Sequence, residues 1–272
     1  MKDLYLKKLF DLRKQVAILT GSAGRLGSRF AEVLSSVGSN VILVDIEKKQ
    51  NKSLVNKIRK KYDTKPLAVN CDITDESQIK EMIKKVISKY GQIDILVNNA
   101  HYVERTDHRR YSSFENYPLD LWEKTTAENL RGLFLCSREV GKIMNQQKRG
   151  VIVNISSIYG LIGADQRIYG KSKLNSPVSY AVTKGGLVNL TRYLAAYWEG
   201  KNIRVNTLTL GGVFDKRLHK DKTFVKRYSE KTILGRMATK GDYDGALLFL
   251  VSNASSYMTG ANLIVDGGWT AW

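Results

Sequence analysis

The chain has 272 residues, 43% of them hydrophobic, with 44 Lys and Arg against 26 Asp and Glu for a formal charge of +18. That is enough apolar material for one large core, while the lack of any apolar run near ~18 residues excludes a membrane-spanning helix. The positive charge points to nucleic acid, an anionic surface or an acidic small substrate. Lysines at helical spacing between Glu47 and Lys89 read instead as solvated helix faces, and neither a nucleic-acid nor a membrane partner is expected. No Gly/Ser/Pro-rich stretch or repeat divides the sequence, so a single domain over 1–272 is predicted. Its first 14 residues form a charged extension without the apolar core of a secretory leader. Cys71 and Cys136 lack metal-ligand spacing, which predicts buried free thiols, no metal site and a cytoplasmic location.

In chain order, Val16–Thr20 reads as a buried parallel strand that empties into Gly21-Ser22-Ala23-Gly24-Arg25-Leu26-Gly27. A helical pattern follows (Phe30, Val33, Leu34, Val37), closed by Gly38. The next strand, Val41–Val44, ends in Asp45. Strand, glycine loop, helix, strand and acidic residue make a complete βαβ dinucleotide-binding unit. The glycines let the backbone approach a pyrophosphate at the helix N-terminus. Asp45 is placed to accept from an adenosine ribose and to repel a phosphate on it, favouring NAD over NADP; Arg25 argues for NADP. Leu67–Val69 is a third strand, leading to Asp72, which meets an adenine edge or caps the helix from Thr74 to Tyr90, a role for which Asp75 competes. Ile93–Val97 is a fourth strand, followed by Asn98-Asn99-Ala100. Pro118 to Gln147 reads as a long helix containing Asn129, and Gly150–Ser157 as a fifth strand with serines at its carboxyl end, where open parallel sheets bind ligands.

A tyrosine and a lysine four residues apart on a helix share a face, and the ammonium favours the phenolate. Among 14 tyrosines chance supplies about one or two such pairs, and the chain has three: Tyr169/Lys173, Tyr180/Lys184 and Tyr197/Lys201. Tyr180/Lys184 is followed by Gly185-Gly186 and an uninterrupted apolar period (Leu187, Leu190, Leu194), whereas Asn175 and Pro177 break any helix running on from Lys173. Tyr197/Lys201 straddles a helix end.

Thr20-Gly21 with its glycines, Asp72, Asn98-Asn99-Ala100 and the Tyr/Lys pair together resemble the short-chain dehydrogenase/reductases, over about Lys14 to Gly268. The resemblance implies a Rossmann-type, doubly wound α/β fold with a mostly seven-stranded parallel sheet. It implies hydride transfer between a nicotinamide and a hydroxyl or keto carbon. Ser157 matches the family serine, which usually precedes the tyrosine by about a dozen residues, a spacing that would select Tyr169. Ile203-Arg204-Val205-Asn206 resembles the family's sixth strand, however, and Lys184 lies one helix and a turn before it. Tyr180 is therefore the expected acid/base, Lys184 the residue that lowers its pKa and holds the nicotinamide ribose, Ser157 the hydrogen-bonding partner of the reacting oxygen, and Asn129 the residue that positions a water. Cofactor contacts are expected at Gly21, Ser22, Gly24, Arg25, Leu26, Gly27, Asp45, Asp72, Ile73, Asn98, Ala100, Tyr180, Lys184, Gly211 and Val213. Three positions depart from the family pattern: Arg25 in the glycine loop, His101 where a glycine usually follows Asn-Asn-Ala, and Leu210-Gly211-Gly212 in place of a Pro-Gly turn. His101 reads equally as a substrate contact or a packing substitution. Residues 163–176 are then an insertion, and 212–236 a substrate lid.

The lid carries eight basic residues (Lys216, Arg217, Lys220, Lys222, Lys226, Arg227, Lys231, Arg236), which suggests an anionic sugar-type substrate. The stretch from Ser176-Pro177 through Tyr180-Ala181 and Lys184-Gly185-Gly186 resembles the oxidoreductases of flagellin-modification and nonulosonic acid pathways. Two other readings stand beside it: a reductase of another carbonyl such as a 3-oxoacyl thioester, and a non-catalytic nucleotide- or nucleic-acid-binding protein on this fold. The C-terminal Ile264-Val265-Asp266-Gly267-Gly268 resembles single-domain members, which are commonly tetramers or dimers.

Overall fold

Seven strands, all parallel, lie in the order β3-β2-β1-β4-β5-β6-β7. They are β1 (Val16–Thr20), β2 (Asn40–Asp45), β3 (Leu67–Asn70), β4 (Ile95–Asn98), β5 (Gly150–Ser157), β6 (Ile203–Leu210) and β7 (Asn262–Val265). The computed structural model describes residues 2–102, 107–172 and 174–272, with side chains from Tyr5 onward. Eight α-helices accompany the sheet among these residues: α1 (Lys2–Leu9), α2 (Arg25–Ser36), α3 (Lys48–Lys61), α4 (Glu76–Tyr90), α5 (Leu119–Gln147), α6 (Val178–Tyr197), α7 (Lys222–Glu230) and α8 (Asp244–Val251).

Each strand serves two cores because successive side chains point to opposite faces. Ala17 and Leu19 of β1 join Phe30 and Leu34 of α2, Ile58 of α3 and Leu247 of α8 in one cluster. Val16 and Ile18 join Ile79 and Met82 of α4, with Val140 and Met144 of α5, in the other. All five β1 residues are buried, which is why the strand reads as a continuous apolar run. Cys71 and Cys136 are buried free thiols in the second cluster. Burial pushes both thiols up, Cys71 to about 11, so neither is a ready nucleophile.

Boundaries differ from the sequence reading where side chains compete for backbone groups. Ile93 stands outside β4 because the Gln147 carboxamide takes its amide at 3.0 Å and its carbonyl at 2.8 Å. Asp75, not Asp72, caps α4, accepting from the amides of Ser77 and Gln78. The sheet order reverses between β1 and β4, and the carboxyl ends of those strands open the crevice where this topology takes its ligand.

Candidate active site

The glycine loop after β1 is held by backbone contacts that side chains would destroy. Gly21 has φ +65, and a Cβ there would lie 2.7 Å from Ala100 Cα; one on Gly27 would lie 2.0 Å from the Gly21 carbonyl oxygen. The loop is tied to the end of β4 by Thr20, whose Oγ1 accepts from the amides of Asn99 and Ala100, both at 3.1 Å. Asn99 Nδ2 donates to the carbonyls of Thr20 at 3.0 Å and Gly21 at 3.1 Å. No side chain caps α2 behind Gly24, so its first amides face the crevice as an anion site. Asp45 stands at the end of β2 and accepts from the Ala23 amide at 2.8 Å. A glycine cradle with an uncapped helix end and a carboxylate beside it suits a dinucleotide.

Two residues expected to face that ligand are turned inward. Ser22 is fully buried: its Oγ donates to Asn51 Oδ1 at 2.7 Å and its amide to the Val44 carbonyl. Asn98 Nδ2 donates to Asn154 Oδ1 at 2.8 Å and Ser137 Oγ at 3.1 Å. Both side chains brace the sheet. Asp72 accepts from the Thr74 amide and hydroxyl, closing its own turn. Arg25 reaches across to the loop after β6, donating to the Val213 carbonyl at 3.2 Å and approaching Asp215 at 3.7 Å. Its side chain thus bridges the two walls of the crevice. Ile73 lies against Gly132 of α5, where a Cβ would meet it at 2.6 Å. Leu26, Gly211 and Val213 do line the crevice.

A cavity of about 510 Å³ adjoins the cradle. Ser157, Tyr180 and Lys184 share its wall, brought together by β5 and α6. A buried polar chain fixes α6 against the sheet: Asn154 Nδ2 donates to Thr191 Oγ1 at 2.9 Å, and Thr207 Oγ1 to Thr191 Oγ1 at 2.7 Å. Gly160 lets the turn after β5 close on the helix, since a Cβ there would meet the Lys184 carbonyl at 2.6 Å. Lys184 is 7% exposed and donates from Nζ to the Ile155 carbonyl at 2.9 Å. Burial pulls its ammonium down to about 8.

Tyr180 faces the cavity from densely packed surroundings. Burial pushes its phenol above the usual value of 10.0, against the hydrogen bond to Ser157 and the charge of Arg25, which pull down. The lysine's expected pull on the phenol is thus outweighed: Lys184 Nζ lies 5.8 Å from the ring centroid and is engaged with a carbonyl. Asn129 Oδ1 accepts from the Tyr102 amide at 2.7 Å and its Nδ2 donates to the Tyr102 carbonyl at 3.3 Å. The carboxamide thus fastens the backbone of Tyr102.

A family model described as enoyl-(acyl carrier protein) reductase matches residues 21–270. The chain belongs to the short-chain dehydrogenase/reductase family. It is an oxidoreductase of CH–OH and C=O groups. Trans-4-hydroxycyclohexanecarboxylate dehydrogenase of Sinomonas cyclohexanicum is 33% identical, covering 95% of this chain and 93% of that protein. Post-translational flagellin modification protein A of Campylobacter coli is 29% identical, covering 95% and 99%. The crystal structure of a gluconate 5-dehydrogenase from Burkholderia cenocepacia J2315, in complex with NADP and tartrate, superposes with a TM-score of 0.86 at 26% identity, covering 98% of this chain and 99% of that one.

In this short-chain dehydrogenase/reductase the other tyrosine pairs part company. Tyr197 is on the outer face of α6, 68% exposed and stacked on Tyr193. Tyr169 lines the cavity and stacks on Phe224 of α7 with centroids 5.6 Å apart, while Lys173 lies outside the described residues. Residues 166–172 form two short 3-10 turns joined by a kink at Gly170 and packed on α7, and the 2.7 Å Lys231–Asp165 ion pair latches this segment to the end of α7. Phe224 continues the stack through His219 to Phe214.

The eight basic residues between 212 and 236 do not line the cavity. Arg217 pairs with Asp215, Lys226 with Glu230, Lys231 with Asp165 and Arg236 with Asp242. The guanidinium groups at the cavity wall are Arg25 and Arg110, which the count of lid charges missed. Sequence reasoning also missed Asn99, Tyr159 and Tyr228. Tyr228 accepts from the Gly212 amide, and a Cβ on Gly212 would meet that phenol at 2.6 Å. The second glycine of Leu210-Gly211-Gly212 was the available signal for that close approach.

Proposed function

We propose that this cleft moves a hydride between NAD and the hydroxyl or keto carbon of a small, polar, sugar-type or hydroxy-acid substrate. The observation that carries the proposal is the meeting of Tyr180, Ser157 and Lys184 on one cavity wall directly beside the glycine cradle. A bound nicotinamide dinucleotide supplies or accepts the hydride. Gly21, Gly24 and Gly27 admit the pyrophosphate to the end of α2, and Asp45 binds the ribose hydroxyls and disfavours a phosphate there, which supports NAD.

Tyr180 exchanges the proton of the substrate oxygen, and Ser157 orients that oxygen through its hydroxyl. Lys184, its ammonium anchored on the Ile155 carbonyl, holds the nicotinamide ribose. Asn129 keeps the loop after Ala100 in place. Arg25 and Arg110, rather than the lid cations, give the cavity its positive potential and favour an anionic group. The closure of residues 166–172 on α7 counts against a long thioester-linked chain. The resemblance to flagellin modification protein A supports a role in surface-glycan chemistry. The outer face of α5 and α6 exposes Phe134, Val182, Tyr193 and Tyr197, supporting a homodimer or homotetramer built on these helices.

NADH deuterated on its reactive carbon, offered with a panel of keto acids, ketoses and simple ketones, tests the reading. Deuterium should appear on the new carbinol carbon. If NADH binds and no panel member acquires deuterium, the proposed reaction is wrong.

A further inference from the structure

His101 stands where the family pattern has a glycine, and its ring sits at the reacting end of the cavity. Its centroid is 4.9 Å from that of Tyr180, edge to face at 70°. One side of the imidazole lies within hydrogen-bonding reach of the Asn129 side chain. The ring bounds the main cavity and also the small void behind it, which Asn129 and Lys184 line as well. Burial, with the nearby Lys184 charge, holds its pKa well below 6.5. The imidazole is therefore neutral, with one N–H donor and one bare nitrogen acceptor.

Among the described residues, Asn129 is the side chain that acts on the ring as a hydrogen-bond partner. A side chain kept only for packing against Tyr180 would do as well without nitrogens, and a ring that borders the cavity can offer one of them to a molecule bound there. His101 shares the cavity wall with Tyr180 and Ser157.

We propose that His101 is a specificity-determining residue that hydrogen-bonds a second substrate oxygen, on the carbon adjacent to the one that reacts. The site then takes hydroxyketones, vicinal diols and hydroxy acids in preference to simple ketones and alcohols. This rests on the reading that Tyr180 and Ser157 bind the reacting oxygen. It adds a requirement that this reading does not make, since a bare ketone would satisfy Tyr180 and Ser157 alone. A neutral imidazole suits the task because it either donates to a carbonyl or carboxylate or accepts from a hydroxyl.

The test measures kcat/KM with NADH for two matched pairs, acetoin against butanone and dihydroxyacetone against acetone, in the wild type, His101→Phe and His101→Asn. The wild type should favour the hydroxyketone of each pair by at least about thirtyfold, because a site built to hydrogen-bond an oxygen rejects the analogue lacking it. His101→Phe keeps a ring against Tyr180 and should bring the ratio below about five; His101→Asn, which keeps a donor and an acceptor, should recover part of it. The ratio is insensitive to the fraction of enzyme that folds, since both substrates meet the same molecules. Equal rates within each pair in the wild type, or an unchanged ratio in His101→Phe, overturns the proposal. Deuteride transfer to simple ketones with neither hydroxyketone reduced overturns it too, while leaving the hydride-transfer reading intact. Absence of deuteride transfer to any member of the wider panel removes that reading, and this proposal with it.

Discussion

The cradle and the cavity wall are built by different rules. The cradle is local: residues 16–45 form one βαβ unit, and its decisive positions, Gly21 and Gly27, are fixed by backbone clearances of 2.7 and 2.0 Å. The cavity wall is assembled from separate segments. His101 follows β4, Ser157 ends β5, Tyr169 sits on the 3-10 turn, Tyr180 and Lys184 belong to α6, and Phe224 and Tyr228 to α7. A local unit tolerates few substitutions and advertises itself in spacing. A wall of side chains drawn from five places admits many solutions, and two of this chain's three departures from the family pattern, His101 and Leu210-Gly211-Gly212, line it.

Breaking the cradle should therefore cost most. Gly27→Ala forces a methyl into the Gly21 carbonyl and should destabilise the loop by about 3 kcal/mol or more, with NAD affinity falling at least a hundredfold by fluorescence titration; unchanged affinity would mean that the loop is not the cofactor site. Asp45→Ala removes a charged acceptor, an effect of about 1.5–3 kcal/mol, so the ratio of kcat/KM for NAD to that for NADP should drop about ten- to a hundredfold. An unchanged ratio would locate cofactor selectivity elsewhere.

On the cavity side, Lys184 is held down to about 8 in the fold against 10.5 for the free side chain. Between these values the unfolded chain binds more protons, so stability rises with pH from about 8 to 10.5 and the contribution is lost as pH falls through 8. Lys184→Met should flatten that part of the melting-temperature profile relative to the wild type. Profiles that run parallel would show that the ammonium is not desolvated. The smallest effect belongs to the rim: Asp165→Asn breaks a partly exposed ion pair with Lys231 and should cost under about 1 kcal/mol, raising KM a few-fold with kcat retained.

The strands through β5 and the glycine cradle were legible because period, glycine spacing and strand ends are local signals, while the parallel sheet was implied by the family resemblance. The inward turn of the Ser22 and Asn98 side chains was not legible because a motif names a position, not the direction of its side chain, and Asn51 and Asn154 are distant in sequence. The tie between Asn129 and the Tyr102 backbone, 27 residues earlier, was not legible because no local signal links the two. The lid count could not distinguish its cations, because counting charges does not reveal that four of the eight pair with Asp165, Asp215, Glu230 and Asp242. Tyr180 was separated from Tyr169 by helix continuity, yet the structure places both rings on one wall. The sequence preference for Tyr180 therefore has to be decided by chemistry.

The most direct measurement is kcat for Tyr180→Phe and Tyr169→Phe side by side, with NADH affinity checked in each. Loss of the proton-exchanging phenol should lower kcat by about a hundred- to ten-thousandfold with NADH still bound, whereas Tyr169→Phe should stay within tenfold of the wild type. Intact turnover in Tyr180→Phe together with its collapse in Tyr169→Phe would contradict the account at its centre.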